Sequence, residues 1–328
     1  MSNNVDQKKS IEVVLFGVGK MGQAYTKVLQ ALKVKFQTVG RGINEVQKYN
    51  AEFGVEAIPG GHAAYLSSMK IKPTHYIVAV NVENLAEVAI DLMKKGAKRI
   101  LLEKPAGTTI DEIKDVRELA NKVGCKIYVA YNRRFYSSLI AAQKIIQDDG
   151  GVSSFSFDFT ERTDLVHQYV KNDKVKKNWY FANSTHVVDM AYFLCGYPEK
   201  WATYVTGTGE WHPEGTIFSG AGITKQGALF SYTSNWNSAG RWALEVRTKN
   251  QRLLFCPLEK LQTCKKGQME NEYLEIDDKL DVQFKPGLYL QTFNFLEEID
   301  HKNFVDINEH YNNMVNYYQL ILRPDLQR

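Results

Sequence analysis

Cysteine is scarce in this chain. Cys125, Cys195, Cys256 and Cys264 are the only four in 328 residues, and their spacings give neither a Cys-x-x-Cys pair nor a zinc pattern. A disulfide-stapled scaffold and a cysteine-built metal centre are therefore not expected, and no metal is assigned. Reduced thiols suit a cytoplasmic location, with Cys195 and Cys256 as small core residues. Long apolar runs are missing too. None reaches the roughly 18 residues that a membrane-spanning helix needs, so no membrane partner is expected. The start, Met1 to Ser10, is polar, with Lys8-Lys9 but no apolar h-region, and gives no sign of a secretory signal. Charge of one sign is not in excess. The net charge is +4, no basic patch stands out, and a nucleic-acid partner is not expected. Repeats and low-complexity tracts are also absent. What remains is a globular composition, 44% hydrophobic and 24% charged, at a length that suggests two domains.

The two halves of the chain are patterned differently. Up to about residue 125, short apolar strands (Val13–Phe16, Phe36–Val39, Tyr76–Val80, Ile100–Leu102, Ile127–Ala130) alternate with helical patterns around Met21–Leu32, Ile43–Phe53, Leu85–Lys95 and Ile110–Val123. This alternation implies βαβ units with right-handed crossovers and a parallel sheet. After a helix near Ser137–Asp148, the segments alternate by two: Ser153–Thr160, Ala202–Thr206, Thr216–Ile223, Ala228–Trp236, Arg241–Thr248 and Arg252–Cys256. A mostly antiparallel, half-covered sheet follows from that period. All five tryptophans lie in this half. A last helical region, Leu290–Leu322, is expected to pack back on the body. Residues 262–287 read as a charged excursion at the sheet edge. The fold class is thus α/β: a doubly wound parallel sheet over residues 1–130, then an α/β domain with a large, mostly antiparallel open sheet over 131–328.

Gly17-Val18-Gly19-Lys20-Met21-Gly22 follows a predicted strand and opens a predicted helix. In that context the first glycine permits a tight turn, the second lets a pyrophosphate approach the backbone, and the third lets helix and strand pack closely. The phosphates would sit on the helix N-terminus. An NAD-binding second strand should end in an acid that holds the ribose 2′-hydroxyl. Here it ends Thr38-Val39-Gly40-Arg41-Gly42, with no acid and an arginine suited to forking onto a 2′-phosphate. NADP(H) is therefore expected over NAD(H), with NAD(H) use still open.

Glu103-Lys104-Pro105 closes the strand ending in Leu102, at the mouth of the sheet. A lysine there can donate to a carbonyl or alkoxide oxygen, and burial or a nearby positive charge lowers its pKa toward neutrality. At the junction of the halves, Asn132 and Arg133 could hydrogen-bond sugar hydroxyls, a carboxylate or a diphosphate. One arginine of the Arg133-Arg134 pair is expected to be structural, pairing with an acid. Trp179 and Tyr180 offer aromatic faces to a sugar ring, or else fill the core. The run Lys171–Lys177 reads as a solvated loop, with attraction of a phosphorylated substrate as the sharper alternative.

With these motifs in order, the chain resembles the glucose–fructose oxidoreductase/inositol dehydrogenase (Gfo/Idh/MocA) family over nearly its whole length. The resemblance rests on the glycine fingerprint, Glu103-Lys104-Pro105, Tyr131-Asn132-Arg133-Arg134-Phe135 and Thr185-His186-Val187-Val188-Asp189-Met190. It implies a Rossmann domain and an α/β domain whose open sheet often makes a dimer interface. A homodimer or homotetramer is expected, helped by an aromatic sheet that would otherwise expose an apolar face. It also implies that Lys104 is the catalytic lysine, that Glu103 positions it or the cofactor, and that a cis bond precedes Pro105. His186 becomes the proton-carrying histidine, and Asp189, on the same helix face, orients that imidazole or binds a substrate hydroxyl. The chain departs from the family at Ala182, four residues before His186, where many members place Asp, so a Lys–Asp–His relay is in doubt. Asn183 is adjacent but points elsewhere on an ideal helix. It departs again after the fourth strand, where Asn81-Val82 replaces a Pro-Asn pair and leaves Asn81 to bond the ribose or carboxamide. The activity implied is NADP(H)-dependent hydride transfer at a secondary alcohol or ketone of a sugar, cyclitol or nucleotide-linked sugar. The alternatives are a non-catalytic NADP(H)-binding regulator or scaffold, and a reductase of a non-sugar C=N or C=C bond.

Overall fold

The computed structural model of the chain describes residues 12–69, 73–209, 211–299 and 302–326. The polar start read at Met1 to Ser10 lies outside them. In chain order the strands of the first half are β1 (Glu12–Phe16), β2 (Lys35–Val39), β3 (Ala57–Ile58), β4 (His75–Val78), β5 (Arg99–Leu102) and β6 (Lys126–Val129). The second half holds β7 (Ser154–Asp158), β8 (Pro198–Thr206), β9 (Ile217–Thr224), β10 (Leu229–Asn235), β11 (Ala243–Arg247), β12 (Gln251–Phe255), β13 (Gln262–Lys265), β14 (Glu272–Tyr273) and β15 (Val305–Asp306).

The first sheet has seven strands in the order β3-β2-β1-β4-β5-β6-β15. All its pairs are parallel except β15 against β6. β4 and β5 are buried along their full length, as expected of strands covered on both faces. The strand order reverses between β1 and β4, which opens a crevice at their C-terminal ends. β3 and the helix Gly61–Ser68 escaped the sequence reading. The strand has two residues, and the helix has no apolar stripe.

The second sheet has eight strands, β14-β13-β12-β11-β7-β10-β9-β8, with β7 and β10 parallel and every other pair antiparallel. Its inner side chains, among them Phe155, Phe157, Phe230 and Tyr232, are buried. They pack on the helix Thr185–Cys195, where Tyr192 meets Phe157 and Phe230 edge-on at 5.6 and 5.8 Å. The opposite face carries Ser154, Ser156, Ser219, Ser231 and Thr233 between the buried residues. The inner apolar face is thus covered within the protomer by its own helix, while the opposite face also exposes Tyr204 and Leu229.

The C-terminal region is not one helical stretch. Helix Leu288–Leu296 packs on helix Lys20–Ala31, β15 then joins the edge of the first sheet, and helix Ile307–Asn313 follows. Asp306 caps that last helix by accepting from the backbone N–H groups of Asn308 and Glu309 at 2.9 and 2.8 Å. The region does pack back on the body, by strand pairing as well as by helix packing. Residues 262–287 form β13, β14 and a short helix, Lys279–Gln283, at the sheet edge as expected. Among the described residues no helix is long and apolar enough to cross a membrane.

Candidate active site

The glycine fingerprint lies in the crevice between β1 and β4. Gly17 has φ +118°, and a Cβ there would lie 2.2 Å from the Ala79 carbonyl oxygen. A Cβ on Gly22 would come within 1.9 Å of the Gly17 oxygen. Those two glycines are filled in by the protein's own backbone. A Cβ on Gly19 would meet nothing within 4 Å, and no side chain caps the helix that starts at Lys20. An open approach beside free helix N–H groups fits a pyrophosphate. Lys20 reaches over the Tyr169 ring at 5.9 Å, so the segment after β7 borders this mouth. Met21 is half-buried and packs in the core behind the loop. Val18 packs beside Gly40, where a Cβ would lie 2.4 Å from Val46 Cγ2. Gly40 can therefore contact a ligand only through its backbone. Arg41 is exposed and has no ion pair among the described residues. The Glu45 carboxylate lies over neighbouring Gly42. Asn81 is exposed at the end of β4, and its amide turns toward Glu83 at 3.5 Å.

Glu103 and Lys104 leave β5 at the same mouth, and the bond between Lys104 and Pro105 is cis. The Tyr25 hydroxyl, on the fingerprint helix, donates to Glu103 at 2.9 Å. Burial pushes the Glu103 carboxyl up, opposed by that hydrogen bond and by Lys104. Lys104 Nζ donates to the backbone carbonyl of Ala182. Burial and the Arg133 charge lower its pKa to about 7, against the upward pull of Glu103 and Glu161. The lysine therefore exchanges its proton in the neutral range.

The chain enters the histidine helix through a π turn, Tyr180–Ser184. This local widening, frequent at functional sites, breaks the ideal helical register assumed from the sequence. It turns the Ala182 carbonyl toward Lys104. It also aims Asn183 Nδ2 and Ser184 Oγ at the carboxylate of Glu161, at 3.0 and 2.6 Å. Glu161 is 6% exposed, just beyond the end of β7, and its charge acts on Lys104. Sequence reasoning missed it; an acid closing an apolar, alternating strand was the available signal. Trp179 is half-buried beside the same carboxylate.

His186 is buried, with its ring edge-on to Tyr131 at 5.9 Å and 6.2 Å from the Trp242 ring. Its Nδ1 is buried without a hydrogen-bond partner among the described residues. Burial, then Arg133, Lys104 and Lys285, hold its pKa well below the ordinary value, so the imidazole is neutral. Three of the expected site residues serve the scaffold instead. Asp189 does not orient His186: its carboxylate takes Arg134 Nε and Nη2 at 2.8 and 2.6 Å and the Tyr318 hydroxyl at 2.8 Å. Arg134 is the structural member of the arginine pair, as anticipated. Tyr180 is fully buried against Phe159 and Phe218, so its ring belongs to the core. The Asn132 amide donates to the Pro286 carbonyl at 2.9 Å and fixes a loop rather than facing a substrate. Arg133 remains, its guanidinium 4.9 Å over the Trp242 ring. Within the basic run, Lys174 pairs with Glu112 and Lys176 with Asp173, which favours the solvated reading.

Residues 11–131 match the model of the Gfo/Idh/MocA oxidoreductase family, NAD-binding Rossmann fold. The match spans the first sheet through β6 and ends at Tyr131, short of the second sheet. The fold of the whole chain is shared with several dehydrogenases of known structure. Levoglucosan dehydrogenase in complex with NADH superposes with TM-score 0.76 at 17% identity, covering 95% of this chain and 96% of that one. The WlbA dehydrogenase of Chromobacterium violaceum, in complex with NADH and UDP-GlcNAcA, gives 0.73 at 13% identity, covering 97% and 95%. UDP-N-acetylglucosamine 3-dehydrogenase GnnA of Acidithiobacillus ferrooxidans gives 0.71 at 12% identity, covering 94% and 96%. No curated protein matches the chain in sequence.

Proposed function

We propose that this chain is an oxidoreductase of the Gfo/Idh/MocA type that moves a hydride between a nicotinamide dinucleotide and a secondary alcohol or ketone on a sugar-like substrate, with NADP(H) preferred. The observation that carries this reading is the meeting of Lys104, near neutrality, with a neutral, unpartnered His186 beside a dinucleotide-binding mouth. The residues that would hold the dinucleotide are the Gly17–Gly22 loop at the pyrophosphate, Arg41 at the adenosine ribose, and Glu103 near the nicotinamide end. When bound, the dinucleotide supplies or accepts the hydride; the protein orients and handles the proton.

In the oxidative direction, His186 takes the hydroxyl proton at Nε2, the ring nitrogen that is not sealed in the interior, while the Lys104 ammonium stabilises the developing negative oxygen. In reduction the proton returns along the same path. Lys104 is anchored by the Ala182 carbonyl, and Glu103 and Glu161 favour its charged form against burial and Arg133. Glu161 thus supplies negative charge near Lys104 although Ala182 cannot. That weakens the case for a non-catalytic dinucleotide binder, which rested on Ala182 alone. The NADP(H) preference is supported by Arg41, exposed and without an ion pair among the described residues, beside a strand end that lacks an acid.

Replacing His186 tests the proton path. H186A should lower kcat for alcohol oxidation by about 10²–10⁴-fold, the usual worth of a general base, while leaving NADPH binding intact. A silent H186A would move the reading to reduction of a C=N or C=C bond, which needs no alcohol-side base.

A further inference from the structure

Positive charge gathers around His186, and among the described residues none of it is held in a direct ion pair. Arg133, Lys104 and Lys285 each depress the His186 pKa, and Arg133 and Lys285 depress each other's neighbours in turn. Lys285 arrives on a loop that is held firmly. Asn132 Nδ2 grips the Pro286 carbonyl at 2.9 Å, and the Asp281 carboxylate accepts from the Gly287 and Ser137 N–H groups, both at 2.7 Å. Gly287 has φ +72°, and a Cβ there would lie 2.1 Å from the Asn132 oxygen, so the loop passes as close as glycine allows. Asn132 therefore serves the site indirectly, by fixing the lysine next to its own neighbour, Arg133.

The acids in the neighbourhood act on these lysines through space, but each carboxylate accepts its direct hydrogen bonds from neutral groups. Glu103 is bonded by Tyr25, Glu161 by Ser184 and Asn183, and Glu259 takes the Tyr136 hydroxyl at 3.5 Å. Among the described residues, neither Arg133 nor Lys285 forms an ion pair, and Arg133 Nε is buried without a hydrogen-bond partner. The guanidinium instead lies over the Trp242 ring at 4.9 Å, and that ring is 6.2 Å from His186. A neutral polyol would leave Arg133 and Lys285 without a direct anionic partner, and an oxidised nicotinamide would add one more positive charge. An oxyanion would satisfy the arginine fork and the lysine together.

The geometry points to a substrate that carries an oxyanion, a carboxylate or a phosphate, clamped by Arg133 and Lys285 a few bonds from the carbon that faces His186. This rests on the hydride-transfer reading above for the identity of the site. The chain loaded with NADPH, so that the cofactor's own phosphate sites are filled, is titrated calorimetrically with glucose, glucuronate, glucose 1-phosphate and glucose 6-phosphate. At least one anionic hexose should bind tenfold or more tighter than glucose, as expected of charge-assisted hydrogen bonds. Which of them does so separates carboxylate from phosphate. The preference should shrink at least fivefold in K285A and in R133Q and survive in part in R133K, with NADPH affinity unchanged in all three. Equal binding of glucose and the anions, no binding of any anionic hexose, or a preference intact in both K285A and R133Q would overturn the clamp. Tight anion binding without any hydride turnover would count against the dehydrogenase reading and leave the clamp standing.

Discussion

Asp189 is the residue whose sequence-derived role the structure reverses most clearly, and D189N separates the two roles. The Asp189 and Arg134 side chains are 1% and 0% exposed, joined by two charge-assisted hydrogen bonds. Removing one charge of such a pair strands the other in the interior, at a cost of about 3–5 kcal/mol. Glu309 still reaches Arg134 Nη1 at 3.4 Å, but it is 44% exposed and compensates in part, so the lower end is expected. Unfolding entropy of about 2.1 cal/mol/K per residue makes each kcal/mol worth about 1.5 °C in a chain of 328 residues. D189N should therefore lower the Tm by about 4–5 °C in a calorimetric scan. At a temperature where the variant is folded, its pH profile should match the parent's. A double variant, R134M/D189L, should recover most of the loss, because an apolar pair of similar volume avoids the stranded charge. An unchanged Tm together with lost turnover would refute the structural role and return Asp189 to the chemistry.

The first half of the fold was legible because each strand–helix alternation is strongly periodic. Helix ends were marked by glycine, as at Gly54 and Gly124, both in the left-handed region. The glycine fingerprint was legible for the same reason: backbone crowding at Gly17 and Gly22 leaves a recognisable spacing. What escaped was non-local. The two-residue β3 and β15 exist only as sheet-edge pairings, which no local period records. At the candidate site, Lys104 and His186 stand out in the sequence, while Glu161 and Lys285 do not. Both come from segments distant in sequence, and only the π turn at Tyr180–Ser184 and the loop gripped by Asn132 bring them in. Asp189, Tyr180 and Asn132 were misread because helix-face and junction arguments identify neighbours but not the partner each side chain takes.

Two further outcomes follow from the geometry. In E161Q, loss of the negative charge that raises the Lys104 pKa should move the neutral-range limb of the kcat/KM profile to lower pH, and an unmoved limb would show that Glu161 does not act on the lysine. R41D should cut NADPH affinity tenfold or more while sparing NADH, since a charge-assisted contact to phosphate is worth about 1.5–3 kcal/mol; equal losses for both cofactors would sink the NADP(H) preference. Gly40 should be left alone in that test, because a Cβ there would lie 2.4 Å from Val46 Cγ2.

The most direct measurement follows absorbance at 340 nm with NADPH and NADP⁺ against sugars, sugar acids, cyclitols and nucleotide-linked ketosugars, run beside K104M. Turnover should appear in the parent and fall at least about 10²-fold in K104M, while NADPH fluorescence shows undiminished binding. Turnover that survives K104M, or cofactor binding with no turnover anywhere in the panel, would contradict hydride transfer at Lys104 and His186.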